Sequence, residues 1–307
     1  MSLENRVFLH EKEVKTPSEN LAINKMCSDL IKTNIYDLIA RVYYHSNGVI
    51  LGNAESLFDI NEFYCKENGY EIVRRPSGGS VILVDPKLVL CYSIFFDSDK
   101  FNLGKDLTRI YKAITIPFAR KLGKNITVEG AYYLRLKLNG ASIPFAGHAM
   151  RFYNQRIVQF DGVVNRKAFD IEILEKALNL RELYTFEGKE YIVVNGKAYN
   201  LEGKEINKFD KKRAIFLRDE KRELEKVLGI EEIGLNDEEF VKALYSTLVD
   251  VFGKIKIVDE INLNKNDLLK NIKKIKEEVS GGTKTCLGHC FVDLVEKEPR
   301  IHYGIWI

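Results

Sequence analysis

Leu88-Val89-Leu90-Cys91-Tyr92-Ser93-Ile94-Phe95-Phe96 runs nine residues without a charge or a glycine. A strand that is apolar on both faces is satisfied only in the middle of a sheet whose two sides are covered, so this run predicts a central strand around which the chain must build. Segments of helical period stand on either side of it. Thr16-Pro17-Ser18-Glu19 joins a capping residue, a proline at the first helical position and a glutamate at the third. Leu21, Ala22, Met26 and Leu30 then recur at helical spacing to about Lys32. Gly104 to Leu122 carries Leu107, Ile110, Tyr111, Ile114 and Phe118 on one side, with Pro117 as a point of kinking. Asp219 to Leu228, Asn236 to Val251 and the basic run Lys265 to Glu278 also read as helices. Leu38 to Tyr44, Val49 to Leu51, Val128 to Leu138 and Ile157 to Val164 are β-rich, the first two separated by the turn His45-Ser46-Asn47-Gly48. The order predicts an α+β fold, a mixed β-sheet flanked by helices, and not a doubly wound βαβ repeat.

A chain of 307 residues can bury one large core, or a large and a small one. With 45% apolar and 30% charged residues it is globular, and a formal charge of +3 from 47 basic and 44 acidic residues gives no concentrated basic stripe for nucleic acid. Met1 to His10 holds charges and no long apolar run, and no window approaches the roughly 18 apolar residues of a membrane span. Five scattered cysteines read as reduced thiols. The expectation is a cytoplasmic protein with no nucleic-acid or membrane partner.

Just before the central strand stands Ile72-Val73-Arg74-Arg75-Pro76-Ser77-Gly78-Gly79-Ser80-Val81-Ile82-Leu83-Val84-Asp85, two β-branched runs around a loop. Gly78 and Gly79 remove the Cβ atoms that would hold a ligand off the backbone, and Arg74 and Arg75 can offer bidentate donors to a phosphate or carboxylate. The same residues also suit a tight β-hairpin with glycines placed for turn geometry.

Arg-Arg-x-Ser-Gly-Gly resembles the signature loop of the lipoate-protein ligase family, relatives of biotin-protein ligases. A second point of resemblance is Leu136-Lys137-Leu138-Asn139-Gly140-Ala141, a lysine on a strand just before a turn, similar to the family's Lys-x-x-Gly motif. The resemblance spans about residues 16 to 256. It implies the catalytic domain shared with biotin ligases and, more distantly, class II synthetases, over residues 1–256. An inserted hairpin at about 186–208 and a small α+β extension at 257–307 complete the expected organisation. It further implies ATP, magnesium and lipoate, or a similar medium-chain acid, as ligands. The acid would be activated as its adenylate and passed to a lysine of a lipoyl-type acceptor domain. Lys137 would be the catalytic cation at the carbonyl and α-phosphate, with Arg75, Ser77, Gly78, Gly79, Ser80 and Gly140 binding nucleotide and acyl head and no protein side chains binding metal. Val81, Leu83, Val84, Leu90, Tyr92 and Ile94 are candidates to line an apolar tunnel for the acid.

The chain departs from the family pattern at several points. Asp161 and Val84 stand where the family has histidines, Ser80 where it has a third glycine, and no Asn-Asp pair lies around Ala131-Tyr132-Tyr133. Two other readings stay open: octanoyl or lipoyl transfer from a carrier thioester, and a non-catalytic paralogue that binds an acyl group or lipoyl domain. An accessory chain could also complete the site. Transfer would use a cysteine acceptor, yet no cysteine lies between Cys91 and Cys286. Cys286-Leu287-Gly288-His289-Cys290, with His302 beyond, matches no standard zinc spacing and reads as core or redox residues.

Overall fold

The computed structural model describes residues 5–279 apart from 54, 56, 58, 59, 80, 131, 139, 169, 180, 201–203 and 220–227. Strand β1 (Arg6–Lys15) runs into helix α1 (Pro17–Lys32), which opens with the expected capping box between Thr16 and Glu19 and with Pro17 in its first turn. β2 (Leu38–His45) and β3 (Gly48–Leu51) follow, then α2 (Glu62–Glu67), β4 (Glu71–Arg74), β5 (Ile82–Val84) and the central β6 (Val89–Asp97). All nine residues of β6 are buried. Next come α3 (Leu107–Leu122), β7 (Ile126–Glu129), β8 (Tyr133–Leu138), β9 (Ala141–Tyr153), β10 (Ile157–Asn165) and α4 (Ile171–Ala177). β11 (Arg181–Phe186), β12 (Lys189–Val194), β13 (Lys197–Tyr199) and β14 (Ile215–Asp219) precede α5 (Asp237–Phe252), β15 (Lys256–Ile257) and α6 (Lys265–Glu278).

An eight-stranded mixed sheet in the order β15-β1-β2-β6-β10-β9-β8-β7 forms the middle layer. β1 is parallel to both β2 and β15, with α1 as the crossover between β1 and β2, and the remaining pairs are antiparallel. The even-numbered residues of β6 (Leu90, Tyr92, Ile94 and Phe96) pack on one face with Ile114 and Phe118 of α3 and Phe240 and Leu244 of α5. The other face is covered by α1 and by a three-stranded sheet, β4-β3-β5, that carries the loop before the central strand. The mixed sheet flanked by helices is therefore the fold of this chain.

Several local expectations are corrected. β2 and β3 do not form a hairpin about Asn47-Gly48: β2 joins the large sheet and β3 the small one, so the turn moves the chain between layers. Val128 to Leu138 is two antiparallel strands, reversed around Gly130 at φ +58°. α2 starts from Asn61, whose side chain accepts from the Tyr64 N–H. β1 and β9 have no counterpart in the sequence reading. Charges at Glu11, Lys12, Glu13 and Lys15 hide the buried triplet Val7-Phe8-Leu9 of β1, and Pro144, Gly147 and small residues break the β pattern of β9. The hairpin at Asn195-Gly196, both at positive φ, is part of a larger antiparallel sheet in the order β13-β12-β11-β14. Most of the helix expected over Asp219 to Leu228, and all of Cys286, His289, Cys290 and His302, lie outside the described residues.

The chain on both sides of residue 256 shares one core. β15 continues the large sheet at β1, and α6 buries Ile275 in the cluster that holds β3, β4 and β5. Lys276 of α6 reaches Glu71 of β4 at 3.2 Å, and Glu71 also accepts from the backbone and hydroxyl of Ser18 on α1.

Candidate functional site

β4 and β5 lie on opposite sides of β3, parallel and antiparallel to it, so the loop between them crosses the end of β3 and is not a hairpin turn. The crossing is tight. The Arg75 N–H donates to Leu51 O at 2.9 Å and the Asn53 N–H to Ser77 O at 3.0 Å. A Cβ on Gly52 would sit 1.7 Å from Gly79 O, so only glycine lets β3 end here. Gly79 is at φ +83°, a region that glycine enters without strain. Among the described residues nothing lies within 4 Å of a Cβ built on Gly78, so this part of the loop faces away from them.

Behind the loop, Arg75 is buried and its guanidinium turns inward, Nε and Nη2 donating to Gly78 O and Nη1 to Ile50 O. Burial brings its pKa down to about 10. Arg74 likewise donates to the carbonyls of Gly52 and Glu55. The arginines thus shape the loop from within, where the sequence reading has them facing a ligand.

Ser77 is fully buried and donates to Asp161 Oδ2 at 2.7 Å. Asp161 stands on β10 in the same cross-sheet row as Ser93 of β6 and Arg41 of β2. Ser93 donates to its Oδ1 at 2.7 Å, and Gln159 Nε2 donates to both oxygens at 3.0 and 2.9 Å. Burial pushes the Asp161 carboxyl upward, opposed by these three donors and by the charge of Arg75. The row continues inward. Asn24 of α1 donates to Ser93 and to the Tyr43 hydroxyl. Arg41, buried beneath α1, binds Asn20 and Asn24 and holds Glu11 with Nε and Nη2 at 2.9 and 2.7 Å. Burial alone would lower the Arg41 pKa, but its bonds to Glu11 prevail and raise it.

Of the residues expected at the site, the structure brings Arg75, Ser77, Gly78 and Gly79 together; Ser80 lies outside the described residues. Lys137 and Gly140 are elsewhere, exposed near the turn between β8 and β9, Gly140 at φ +81°. Lys137 is paired with Ser142 on β9, whereas Ala149 of β9 is paired with Asp161. At about 3.3 Å per residue the span from Ser142 to Ala149 is on the order of 20 Å of strand. The tunnel candidates also divide. Val81, Leu83 and Val84 pack on the loop side with Cys91, Ala149 and Val163, while Leu90, Tyr92 and Ile94 point through the sheet to α3 and α5, as the period of two in β6 requires. Cys91 stands beside the site, but burial pushes its thiol up well out of the nucleophilic range.

Gly52, Asp161, Ser93, Gln159 and Arg151, which donates to Pro76 O at 2.9 Å, complete the site unannounced. Asp161 has a signal in sequence, as a carboxylate where the resembled family has histidine, and Gly52 has one, at a strand end where that family has a short glycine-containing segment; Ser93, Gln159 and Arg151 have none. On the opposite face His148 Nδ1 lies 2.6 Å from Tyr132 O and therefore donates to it, leaving Nε2 to accept from the Tyr92 hydroxyl. A Cβ on Gly162 would fall 2.1 Å from that Tyr92 ring.

Among the described residues no group of three or more His, Cys, Asp or Glu side chains is placed to hold a metal, and the Asp161 oxygens are taken by Ser77, Ser93 and Gln159. Among the described residues no side-chain cluster is therefore built to hold magnesium by itself. Among the described residues no helix is long and apolar enough to cross a membrane.

The model of the lipoyl protein ligase A/B catalytic domain matches residues 16–202. A search of curated protein sequences finds no match. Solved structures do match. One is from a bipartite lipoate protein ligase and its E2 lipoyl domain of Thermoplasma acidophilum, with TM-score 0.60 and 16% identity, 94% of this chain and 97% of that chain being covered. A lipoate-protein ligase A bound with ATP gives 0.56 at 15% identity, covering 92% and 98%. P. falciparum LipL1 in complex with lipoate gives 0.57 at 14%, covering 91% and 74%. At these identities the structures are evidence of a shared fold.

Proposed function

This chain belongs to the lipoyl protein ligase A/B catalytic-domain family, and from that premise we propose that it activates lipoate, or a related medium-chain acid, with ATP in the cytoplasm and transfers the acyl group to a lysine of a lipoyl-type domain. In the first step the acid's carboxylate attacks the α-phosphorus of ATP and pyrophosphate leaves. In the second the acceptor amine attacks the acyl carbonyl and AMP leaves.

The observation that carries this reading is the loop from Arg75 to Gly79, braced on Gly52 with the open side of Gly78 outward and a buried cation behind it. Its main chain suits an anionic group lying flat against it, and Arg75 and Ser77 serve that contact by holding the main chain in place. The ATP-bound and lipoate-bound relatives of the same fold support the choice of ligands. Magnesium would arrive on the nucleotide's phosphates. The apolar side chains at the loop, Val81, Leu83, Ala149 and Val163, suit an aliphatic acid. Lys137 is the cation assigned to the reacting carbonyl, and that assignment requires the outer end of the β8–β9 ribbon to close toward the loop on binding.

The separation of Lys137 from the loop favours a second reading, in which the chain binds the acyl group without activating it or completes its site with an accessory chain. The buried Cys91 thiol weighs against a carrier-dependent transferase acting through that cysteine. Lipoate-dependent ATP–pyrophosphate exchange separates these readings. We expect exchange from the wild-type chain and a loss of at least roughly a hundred-fold in Lys137→Ala, the scale of one lost transition-state charge contact. Exchange untouched by Lys137→Ala would leave the ligase and remove Lys137 from it. A folded wild-type chain that binds lipoate calorimetrically and shows no exchange would overturn activation itself.

A further inference from the structure

We infer that Asp161 is a positioning residue that holds the Arg75–Gly79 loop in its ligand-receiving shape through Ser77, without itself touching ligand. The loop comes from the three-stranded sheet, and polar side chains of the large sheet reach it, Asp161 accepting from Ser77 at 2.7 Å and Arg151 donating to Pro76 O at 2.9 Å. Asp161 cannot follow the loop if the loop moves. Ser93 and Gln159 fix both its oxygens, and Ser93 is fixed in turn by Tyr43 and Asn24. The carboxylate therefore marks a stationary point to which the loop is tied.

Removing it unties the loop and also leaves the buried Gln159 Nε2 without the carboxylate it donates to. The Ser77 hydroxyl, fully buried, loses its acceptor, and the buried Arg75 loses the carboxylate charge that offsets its own. Ser93 and Gln159 keep neighbours within the sheet: Ser93 has Tyr43 and Asn24, and Gln159 accepts from the Tyr153 hydroxyl. The Ser77 and Arg75 losses fall on the segment that crosses β3, and Ser77→Ala confines the damage to it.

Hydrogen exchange on the full chain without ligand reads this directly, because the Arg75 and Asn53 amides close the loop on β3. A hydrogen bond to a charged group predicts that Ser77→Ala and Asp161→Ala each speed exchange at these two amides roughly ten- to a hundred-fold. Amides of β2 and β6 should keep wild-type rates. The double variant should go no further than the larger single one, since both remove the same bond, and Ser77→Thr, which keeps the hydroxyl, should restore protection. Ser77→Ala leaves the sheet's own contacts to Asp161 in place and decides the matter even if Asp161→Ala fails to fold. Unchanged loop exchange in folded Ser77→Ala, additive effects in the double variant, or exchange that rises equally through β6 and β10 would overturn the inference. A second arm rests on the proposed ligase reading: Ser77→Ala should raise KM for ATP in pyrophosphate exchange and leave kcat near wild type. A wild-type chain inactive in that assay would sink the ligase reading and leave the amide result standing.

Discussion

The row Arg41–Ser93–Asp161 across the large sheet and the outer strand β14 of the four-stranded sheet are both β-structure, yet opposite physics governs them. In the row, charged and polar side chains are buried and each is bonded several times over. On β14, Ile215, Phe216 and Leu217 are large apolar residues that remain 40–66% exposed. The row is costly to form and costly to break, because each polar group has surrendered water for a fixed partner. β14 pairs with β11, and its apolar side chains keep much of their exposure, Phe216 meeting the Tyr184 ring edge-on. A polar group at the centre of a sheet therefore says more about what the chain does than an apolar residue at the rim.

The largest effect that would break this contrast is expected from Glu11→Ala. Arg41 is buried and would keep its charge without its carboxylate, at a cost of about 3–5 kcal/mol. Urea unfolding measures it, and a loss under about 1 kcal/mol would show that water reaches the row.

Acid sharpens the comparison next. Burial lowers the pKa of His45 to about 3 and of His148 to about 4, against 6.5 for the free side chain, so the unfolded chain binds protons that the folded one refuses. Stability from these groups is fully present above about pH 6.5 and falls as pH drops toward the folded values, by about 1.4 kcal/mol per pH unit for each histidine. Thermal melting between pH 7 and pH 5 should show this slope, and His148→Gln should flatten it by about half. An equal slope in wild type and variant would mean that His148 is not held neutral.

The smallest effect belongs to β14. Ile215→Lys should change stability by no more than about 0.5 kcal/mol and reduce association at high concentration, read by unfolding and light scattering. A destabilisation of several kcal/mol would show that the rim is held as firmly as the row.

Legibility in the sequence followed the range of the interactions. The central strand was readable because nine consecutive residues all carry the same information, and α1 because its cap is contained within Thr16 to Glu19. The buried side of α1 was half readable. Leu21, Ala22 and Met26 announce a helix, but Asn20, Asn24 and Ser28, one turn apart, are buried as well, and as polar residues they read as solvent-facing until Arg41 is placed beneath them. The loop was recognisable by residue type and misread in orientation. Arg75 in sequence is a donor in search of an anion, and in the fold it donates to carbonyls of its own loop and of β3. Lys137 follows from a strand-turn pattern that is local and does occur, but where that turn lies relative to the loop depends on the length and register of β9, whose glycine, alanines and proline conceal a thirteen-residue strand.

What the sequence determined by itself is therefore the set of elements whose reasons are local: the apolar run of β6, the capped helices, the Asn-Gly turn at Asn195 and the glycine-rich loop with its family resemblance. Only the tertiary structure decided that β2 and β3 enter different sheets, that Gly52 must lack a Cβ to admit Gly79, and that Asp161 binds Ser77 from a strand more than eighty residues away. Such contacts join segments with no sequence relation to one another. Their strength comes from exclusion of water once the layers close, and no window of residues read alone contains that information.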